Sequence, residues 1–180
     1  MKLFHINVVC SDFEASYAFY TDTLGLQPLT RRSAGMSAAA DRPRAAGDRL
    51  PGEARTRPED GAPSALALGL DPATTDMGSR GVLLYWPETP EGPYVDLLQW
   101  SEGGYPIERT PKGTGFARLA MQVADIDAEY RRLLDRGVEF ESEPVQILLG
   151  ATAIKIVFFR DPDGTLLEFV ELAAGGWGKA

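Results

Sequence analysis

The feature that most constrains this fold is an internal repeat, because one order of strand, helix and strands occurs twice along the chain. An offset of 113 residues aligns the stretch 5–17 with 118–130, and an offset of 72 aligns 95–97 with 167–169. The difference of 41 residues measures extra chain in the first half. Such self-similarity indicates a duplicated unit whose two copies build the same elements.

The first copy has the pattern of a β-α-β-β-β unit. Strands are predicted at 3–10, 82–86 and 94–100, where β-branched and aromatic residues are concentrated. A helix is predicted over 13–24, because its aromatic residues recur on one face and Asp12 precedes it as an N-cap. The helix would cover one face of the sheet and leave the other face available to line a cavity.

The second copy repeats this order. Its predicted strands are 116–123, 153–160 and 165–172. A helix is predicted over 126–136 behind the N-cap Asp125, and extended chain resumes at 138–140. The turn 161–164, of sequence Asp-Pro-Asp-Gly, joins the last two strands. We therefore predict an α+β fold in which two βαβββ units form a cupped mixed sheet with the helices outside.

The extra chain of the first copy is predicted at about 33–80. This stretch contains no aromatic residue and is rich in Ala, Arg, Pro, Gly and Asp, so it offers little core material. It is either a partly ordered surface insertion, which we favour, or a lid that orders over a ligand. We expect the first unit at 1–105 and the second at 113–174, together making one domain.

Charge and hydropathy exclude several classes of partner. The formal net charge of −8 disfavours binding to nucleic acid or to anionic lipid. The longest apolar runs hold about five residues, whereas about 18 are needed to cross a bilayer. Because polar residues also interrupt the first ten positions and Cys10 is the only cysteine, we expect a cytoplasmic protein without a membrane segment or an intrachain disulfide.

The single histidine, His5, excludes most histidine-based chemistry. Three-histidine zinc sites, two-histidine iron sites and the HExxH proteases all need more than one imidazole. A Ser-His-Asp triad would have to use His5, and no GxSxG motif accompanies it.

Three stretches resemble the vicinal oxygen chelate superfamily, which includes glyoxalase I, bleomycin-resistance proteins and extradiol dioxygenases. They are HINVVCSDFEASYAFYTDTLGL at 5–26, ARLAMQVADIDAEYRRLLDRGVEF at 117–140 and FFRDPDGTLLEFVE at 158–171. The resemblance covers most of the chain outside the predicted insertion. It implies the same cupped two-unit fold and a homodimer, with a small molecule as the ligand.

The resemblance also implies metal ligands on the first and fourth strands of each unit, in the order His, Glu, His, Glu. Here those positions hold His5, Asp96, Arg118 and Glu168. Arginine stays protonated and offers no lone pair, so one ligand is missing. Either His5, Asp96 and Glu168 hold one divalent ion (Zn, Fe, Mn or Ni) or Arg118 replaces the ion, and we favour the metal-free state.

Two functions are compatible with this set. The first is a glyoxalase-like small-molecule lyase or isomerase with Glu168 and Arg118 as its catalytic residues. The alternative is a non-catalytic protein of the bleomycin-resistance type that sequesters an antibiotic or an aromatic metabolite. An extradiol dioxygenase is excluded, because a second imidazole is absent. The candidate substrate-binding residues are the aromatic side chains on or beside the later strands of the first unit, Tyr85, Trp86, Tyr94 and Trp100.

Each candidate also has an ordinary structural explanation. His5 fits a hydrogen-bonded core or surface position, and Arg118 fits a simple salt bridge. The aromatic residues fit a core between sheet and helix. The repeat favours function at Glu168, because Asp96 occupies the equivalent position in the first unit.

Overall fold

The fold is described by a computed structural model that covers residues 1–30, 48–103 and 114–173. The chain divides into two compact units, Met1–Tyr105 and Pro106–Ala180. Each unit packs a helix against a mixed sheet. The predicted α+β class is thereby confirmed, and each of the two units has its own mixed sheet. None of the described helices has the length and hydrophobicity of a transmembrane segment.

The first unit contains a five-stranded sheet. Its described elements are β1 (His5–Val9), α1 (Phe13–Ala18), β2 (Gln27–Pro28), β3 (Ala54–Thr56), α2 (Ala62–Ala67), β4 (Ser79–Tyr85) and β5 (Tyr94–Trp100). The strand order is β1-β5-β4-β2, and β3 also pairs with β4. Only the β1–β5 pair is parallel among these described strands.

The helix side of this sheet forms the core of the first unit. Helix α1 begins behind Asp12, whose Oδ1 accepts a hydrogen bond from the Ala15 amide at 3.0 Å. This bond satisfies an amide that has no partner within the helix. Phe13 of α1 is fully buried, as are Val95 and Leu97 of β5. The alternation of buried and half-exposed residues along β5 therefore fixes which face meets the helix.

The helix predicted over 13–24 is in fact two structures, because a π-helical turn occupies Phe19–Thr23. The Thr21 hydroxyl donates to the Tyr17 carbonyl at 2.8 Å. The backbone amide of Leu24 then donates to a carbonyl five residues back. A side chain that competes for a helical carbonyl accounts for this wider turn.

Part of the stretch predicted as an insertion is built into the sheet. Strand β3 pairs antiparallel with β4, a 3₁₀ turn covers Pro58–Asp60, and α2 follows. Strand β4 begins at Ser79, three residues before the predicted start at Val82. The polar Arg80 interrupts the apolar pattern there, although its backbone remains in the ladder. Residues 33–47 lie outside the described residues.

The second unit contains a four-stranded sheet in the order β6-β9-β8-β7. Its described elements are β6 (Leu119–Gln122), α3 (Ile126–Leu134), β7 (Val145–Leu149), β8 (Thr152–Arg160) and β9 (Leu166–Leu172). The extended chain predicted at 138–140 contributes only an isolated bridge between Phe140 and Phe159. The full edge strand is β7, after the polar stretch 141–144.

The turn before β9 positions the strand that carries Glu168. The buried Asp161 carboxylate accepts hydrogen bonds from the amides of Asp163 at 3.1 Å and Thr165 at 2.7 Å. Gly164 has a φ of +80°, which a residue without Cβ adopts at no steric cost. The Asp-Pro-Asp-Gly stretch thus acts as a hairpin turn.

The strand registers of the two units correspond. Asn7 pairs with Asp96 across the parallel strands of the first sheet, and Ala120 pairs with Glu168 in the second. The same offsets of 113 and 72 residues relate these two pairs. The caps of α1 and α3 repeat as well.

Candidate functional site

Each sheet has one face that packs against its helix, and we call the opposite side the far face. In β5, Leu97 is buried toward the helix while Asp96 is half-exposed on the far face. In β9, Leu167 and Phe169 are buried toward the helix, so Glu168 lies on the far face. The predicted site residues Asp96 and Glu168 therefore both lie on the far faces of their sheets.

In the first unit, the parallel register brings together His5 and Asp96. The His5 Nε2 lies 3.9 Å from the Asp96 Oδ2, and their side chains are 40% and 26% exposed. The same Asp96 oxygen accepts a hydrogen bond from the side-chain amide nitrogen, Nδ2, of Asn7 at 3.1 Å. Two of the predicted metal ligands are therefore neighbours, and an amide orients the carboxylate.

In the second unit, Arg118 and Glu168 form a direct ion pair. The Arg118 Nε donates to the Glu168 Oε2 at 2.5 Å. The Glu168 side chain is 6% exposed, whereas that of Arg118 is 45% exposed. The guanidinium also lies over the Phe158 ring, 5.5 Å from its centroid. Both residues predicted to be catalytic are thus in contact.

This pairing accounts for the burial of a carboxylate in an apolar strand. A buried charge is costly unless it is paired and hydrogen-bonded. Charge-assisted hydrogen bonds are the stronger kind, and the guanidinium provides one to Glu168. The pair is neutral overall, so the far face of the second sheet tolerates it.

The donor set does not fit the four-ligand metal site that the resemblance implies. Arg118 offers no lone pair, and it holds one oxygen of Glu168. Within the described part of either unit, no group of three His, Cys, Asp or Glu side chains forms a possible metal site. The positive charge beside Glu168 comes from the protein itself.

Three of the four aromatic candidates share the far face of the first sheet with Asp96. Tyr94 and Trp100 alternate with buried residues of β5, and Tyr85 ends β4. The hydroxyl of Tyr85 donates to Gln27 Oε1 at 2.9 Å. Trp86 follows β4 and lies outside the strand. All four are half-exposed.

Two residues that contact the predicted site were missed. Asn7 lies two positions after His5, so strand alternation alone places both on one face. Phe158 neighbours Glu168 across the β8–β9 ladder. Its role under Arg118 depends on strand register, which the apolar sequence of β8 does not specify.

A second charged cluster lies on the helix side of the first sheet. The fully buried Glu53 carboxylate accepts hydrogen bonds from the Leu50 amide at 2.7 Å and from Arg55 Nε at 2.5 Å. Arg80 of β4 lies beside it and also pairs with Glu14 of α1 at 2.7 Å. Burial by itself raises the pKa of Glu53, but these hydrogen bonds and arginine charges outweigh it and lower the pKa below 4.5.

Comparison with known proteins shows which family the sequence of this chain matches. The family model of the Glyoxalase/Bleomycin resistance protein/Dioxygenase superfamily matches residues 2–169. The uncharacterized protein YwkD of Bacillus subtilis (strain 168) is 26% identical over 171 residues, covering 94% of this chain and 96% of that protein.

Solved structures show the same fold. A glyoxalase family protein from Bacillus cereus has a TM-score of 0.66 at 15% identity, covering 96% of this chain and 94% of that one. A glyoxalase family protein from Enterococcus faecalis has a TM-score of 0.57 at 19% identity, covering 94% and 97% of the two chains.

Proposed function

This chain belongs to the glyoxalase/bleomycin resistance protein/dioxygenase superfamily, and we propose that it is a small-molecule lyase or isomerase of the glyoxalase type. Members of the superfamily bind small molecules and often hold a divalent metal. In this chain Arg118 takes over the positive charge of that metal. The observation that carries the proposal is the contact between Arg118 and the buried Glu168.

The proposed chemistry is proton transfer next to a carbonyl group. Glu168 removes a proton from the carbon adjacent to the carbonyl, and the electron pair of that C–H bond moves onto the carbonyl oxygen. The Arg118 guanidinium stabilises the resulting enolate oxygen as a fixed electrophile. Glu168 then returns the proton to a different carbon of the enolate, which gives isomerisation. Alternatively, the enolate electron pair expels a leaving group from the neighbouring carbon with its bonding electrons and Glu168 passes it the proton, which gives elimination.

The functional test is proton exchange in deuterated water. Small aldehydes and 2-oxo acids are incubated with the protein, and NMR follows the loss of the hydrogens beside their carbonyl groups. Glu168→Gln keeps the shape and removes the base, so we expect exchange to slow by about 10²–10⁴-fold. Glu129→Gln, a carboxylate on α3 that pairs with Arg132, is the matched control. An unchanged rate in Glu168→Gln contradicts Glu168 as the proton carrier.

Metal content tests the part assigned to Arg118. We expect elemental analysis of the purified protein to find no stoichiometric divalent ion, because Arg118 offers no lone pair where the family has a ligand. Arg118→His restores an imidazole and should acquire metal. Arg118→Met removes the charge without adding a ligand and should not. Stoichiometric metal in the unaltered protein rules out Arg118 as a substitute for the ion.

The second candidate function is binding without catalysis, as in bleomycin-resistance proteins. It is favoured by the half-exposed Tyr85, Tyr94 and Trp100 on one sheet face. Flat aromatic ligands stack on such side chains. Quenching of tryptophan fluorescence that disappears in Trp100→Phe and persists in Trp86→Phe, without any exchange activity, would select this function.

A homodimer and a cytoplasmic location stay predictions. Superfamily members often dimerise. Light scattering of the purified chain distinguishes one copy of 19.6 kDa from two.

A further inference from the structure

We propose that the terminal nitrogens of Arg118 bind a carboxylate of the substrate, so that the substrate class is small organic acids. This inference rests on the proposed function for the role of Glu168, and it specifies which molecules that residue acts on. It follows from three properties of the second unit: the unused donors of Arg118, the replacement of one repeated residue, and the local charge.

The first property is the set of donors that Glu168 leaves unused. A guanidinium carries five N–H groups in a planar fork. Glu168 takes the one on Nε, and neither Nη of Arg118 makes a hydrogen bond to a described residue. The Arg118 Cζ lies over the Phe158 ring at 5.5 Å from its centroid, which is within the range of a cation–π contact. With 45% of Arg118 exposed, the two Nη groups present the edge that binds a carboxylate through two parallel hydrogen bonds.

The second property is a difference between the two repeats. In the first unit, Asn7 donates to the carboxylate of Asp96. The equivalent residue in the second unit is Ala120, which pairs with Glu168 in the same register. A methyl group donates no hydrogen bond, so the second oxygen of Glu168, Oε1, makes none to a described residue. The Glu168 oxygen and the Arg118 nitrogens that make no hydrogen bond to a described residue therefore belong to two side chains joined by the Nε–Oε2 hydrogen bond.

The third property is the charge, which favours a carboxylate over a phosphate. Arg118 and Glu168 together are neutral, and the chain carries a formal charge of −8. For a dianion the attraction to Arg118 and the repulsion by Glu168 both double, so the neutral pair itself gives no preference. The net negative charge of the whole chain, however, repels a dianion twice as strongly as a monoanion. A single carboxylate matches the one fork that remains.

The test compares an acid with its own ester. Pyruvate and methyl pyruvate differ by one charge, and inorganic phosphate serves as the dianion. NMR of the arginine side-chain N–H groups reports which guanidinium responds. We expect pyruvate at millimolar concentration to shift the Arg118 signals and to bind about tenfold or more tightly than the ester or phosphate.

Two variants locate the interaction. Arg118→Lys replaces the fork with a point charge and should abolish the preference for the acid. Arg132→Lys is the matched control, since Arg132 is also held by a carboxylate, that of Glu129. Ala120→Asn copies the first unit, and its amide should occupy Glu168 and slow proton exchange about tenfold or more while Arg118 remains.

The outcomes separate this inference from the proposed function. Equal binding of acid and ester, tighter binding of phosphate, or no binding at millimolar pyruvate overturns the carboxylate site. Binding of pyruvate through Arg118 without any proton exchange supports the site and contradicts the lyase or isomerase. Equal exchange of acid and ester supports the enzyme and overturns the site. If Arg118→Lys does not fold, the arginine N–H signals of the unaltered protein decide, and pyruvate that leaves the Arg118 signals unshifted overturns the inference.

Discussion

Glu168 is an acidic residue in a strand whose other buried residues are apolar, and its burial depends on a partner, Arg118, that is itself half-exposed. The carboxylate is buried, and Arg118 satisfies one of its oxygens. Removing the arginine leaves a buried charge without compensation, which costs more than the pair itself contributes. The two halves of the pair should therefore respond differently to substitution.

Arg118→Met should lower the free energy of unfolding by about 1–3 kcal/mol, because it leaves the Glu168 carboxylate unpaired. Glu168→Gln should cost less, since a neutral amide is less expensive to bury. The double variant should be more stable than Arg118→Met alone. Urea unfolding of the four proteins measures this, and equal losses in all three variants would contradict an uncompensated charge.

The offset between the repeats predicts that His5 is equivalent to Arg118 and Asp96 to Glu168, and the resemblance to the superfamily predicts a site at these positions. The offset is independent of side-chain conformation. It was not sufficient to identify which hydrogen bonds they make. The Asn7 contact and the Phe158 contact depend on neighbouring strands whose register is set by backbone pairing.

At the scale of elements, the extra chain of the first unit is not one block. Strands β2 and β3 both pair with β4, β2 at Leu84 and Tyr85 and β3 at residues 79–81. In the second unit, the Phe140 bridge and β7 occupy the corresponding edge of β8. The sequence indicated the extra length, but a three-residue strand such as β3 carries too little pattern to be predicted.

Glu53 anchors the extra chain around β3 to the rest of the first unit. We expect Glu53→Gln to lower the free energy of unfolding by about 1.5–3 kcal/mol, because hydrogen bonds to a buried charge are lost. Glu59→Gln changes a carboxylate that is 66% exposed in the same segment, and it should have an effect within about 0.5 kcal/mol. Equal effects of the two variants would show that Glu53 does not anchor the segment.

The same residue gives the stability a pH dependence. The pKa of Glu53 is lower in the folded protein than its ordinary value of 4.5, with Arg55, Arg80 and Glu14 as the charged groups around it. The contribution of Glu53 to the free energy of unfolding is therefore complete above about pH 4.5, and it is lost as the pH falls through the pKa that Glu53 has in the folded protein. Thermal unfolding from pH 3 to 7 should show a smaller acid-induced loss in Glu53→Gln than in the unaltered protein. Parallel curves would contradict this.

At the scale of the whole molecule, duplication is what made the fold predictable. Two copies of one pattern supply two independent indications for each element, so an ambiguous strand in one copy is supported by its equivalent in the other. A repeat cannot predict the features in which its two copies differ. The added chain and the changed residue at Ala120 belong to one copy each.

Duplication also predicts two units of local stability, since each unit has its own helix-on-sheet core. Leu97 of β5 and Leu167 of β9 are both fully buried against their own helix. Replacing either leucine by alanine should cost about 2–5 kcal/mol through lost burial and a residual cavity. In amide hydrogen exchange, Leu97→Ala should increase exchange mainly in β4 and β5, and Leu167→Ala mainly in β8 and β9. A uniform increase in both sheets from either variant would mean that the chain opens as one cooperative body, because local opening confines the effect of a core substitution to its own unit.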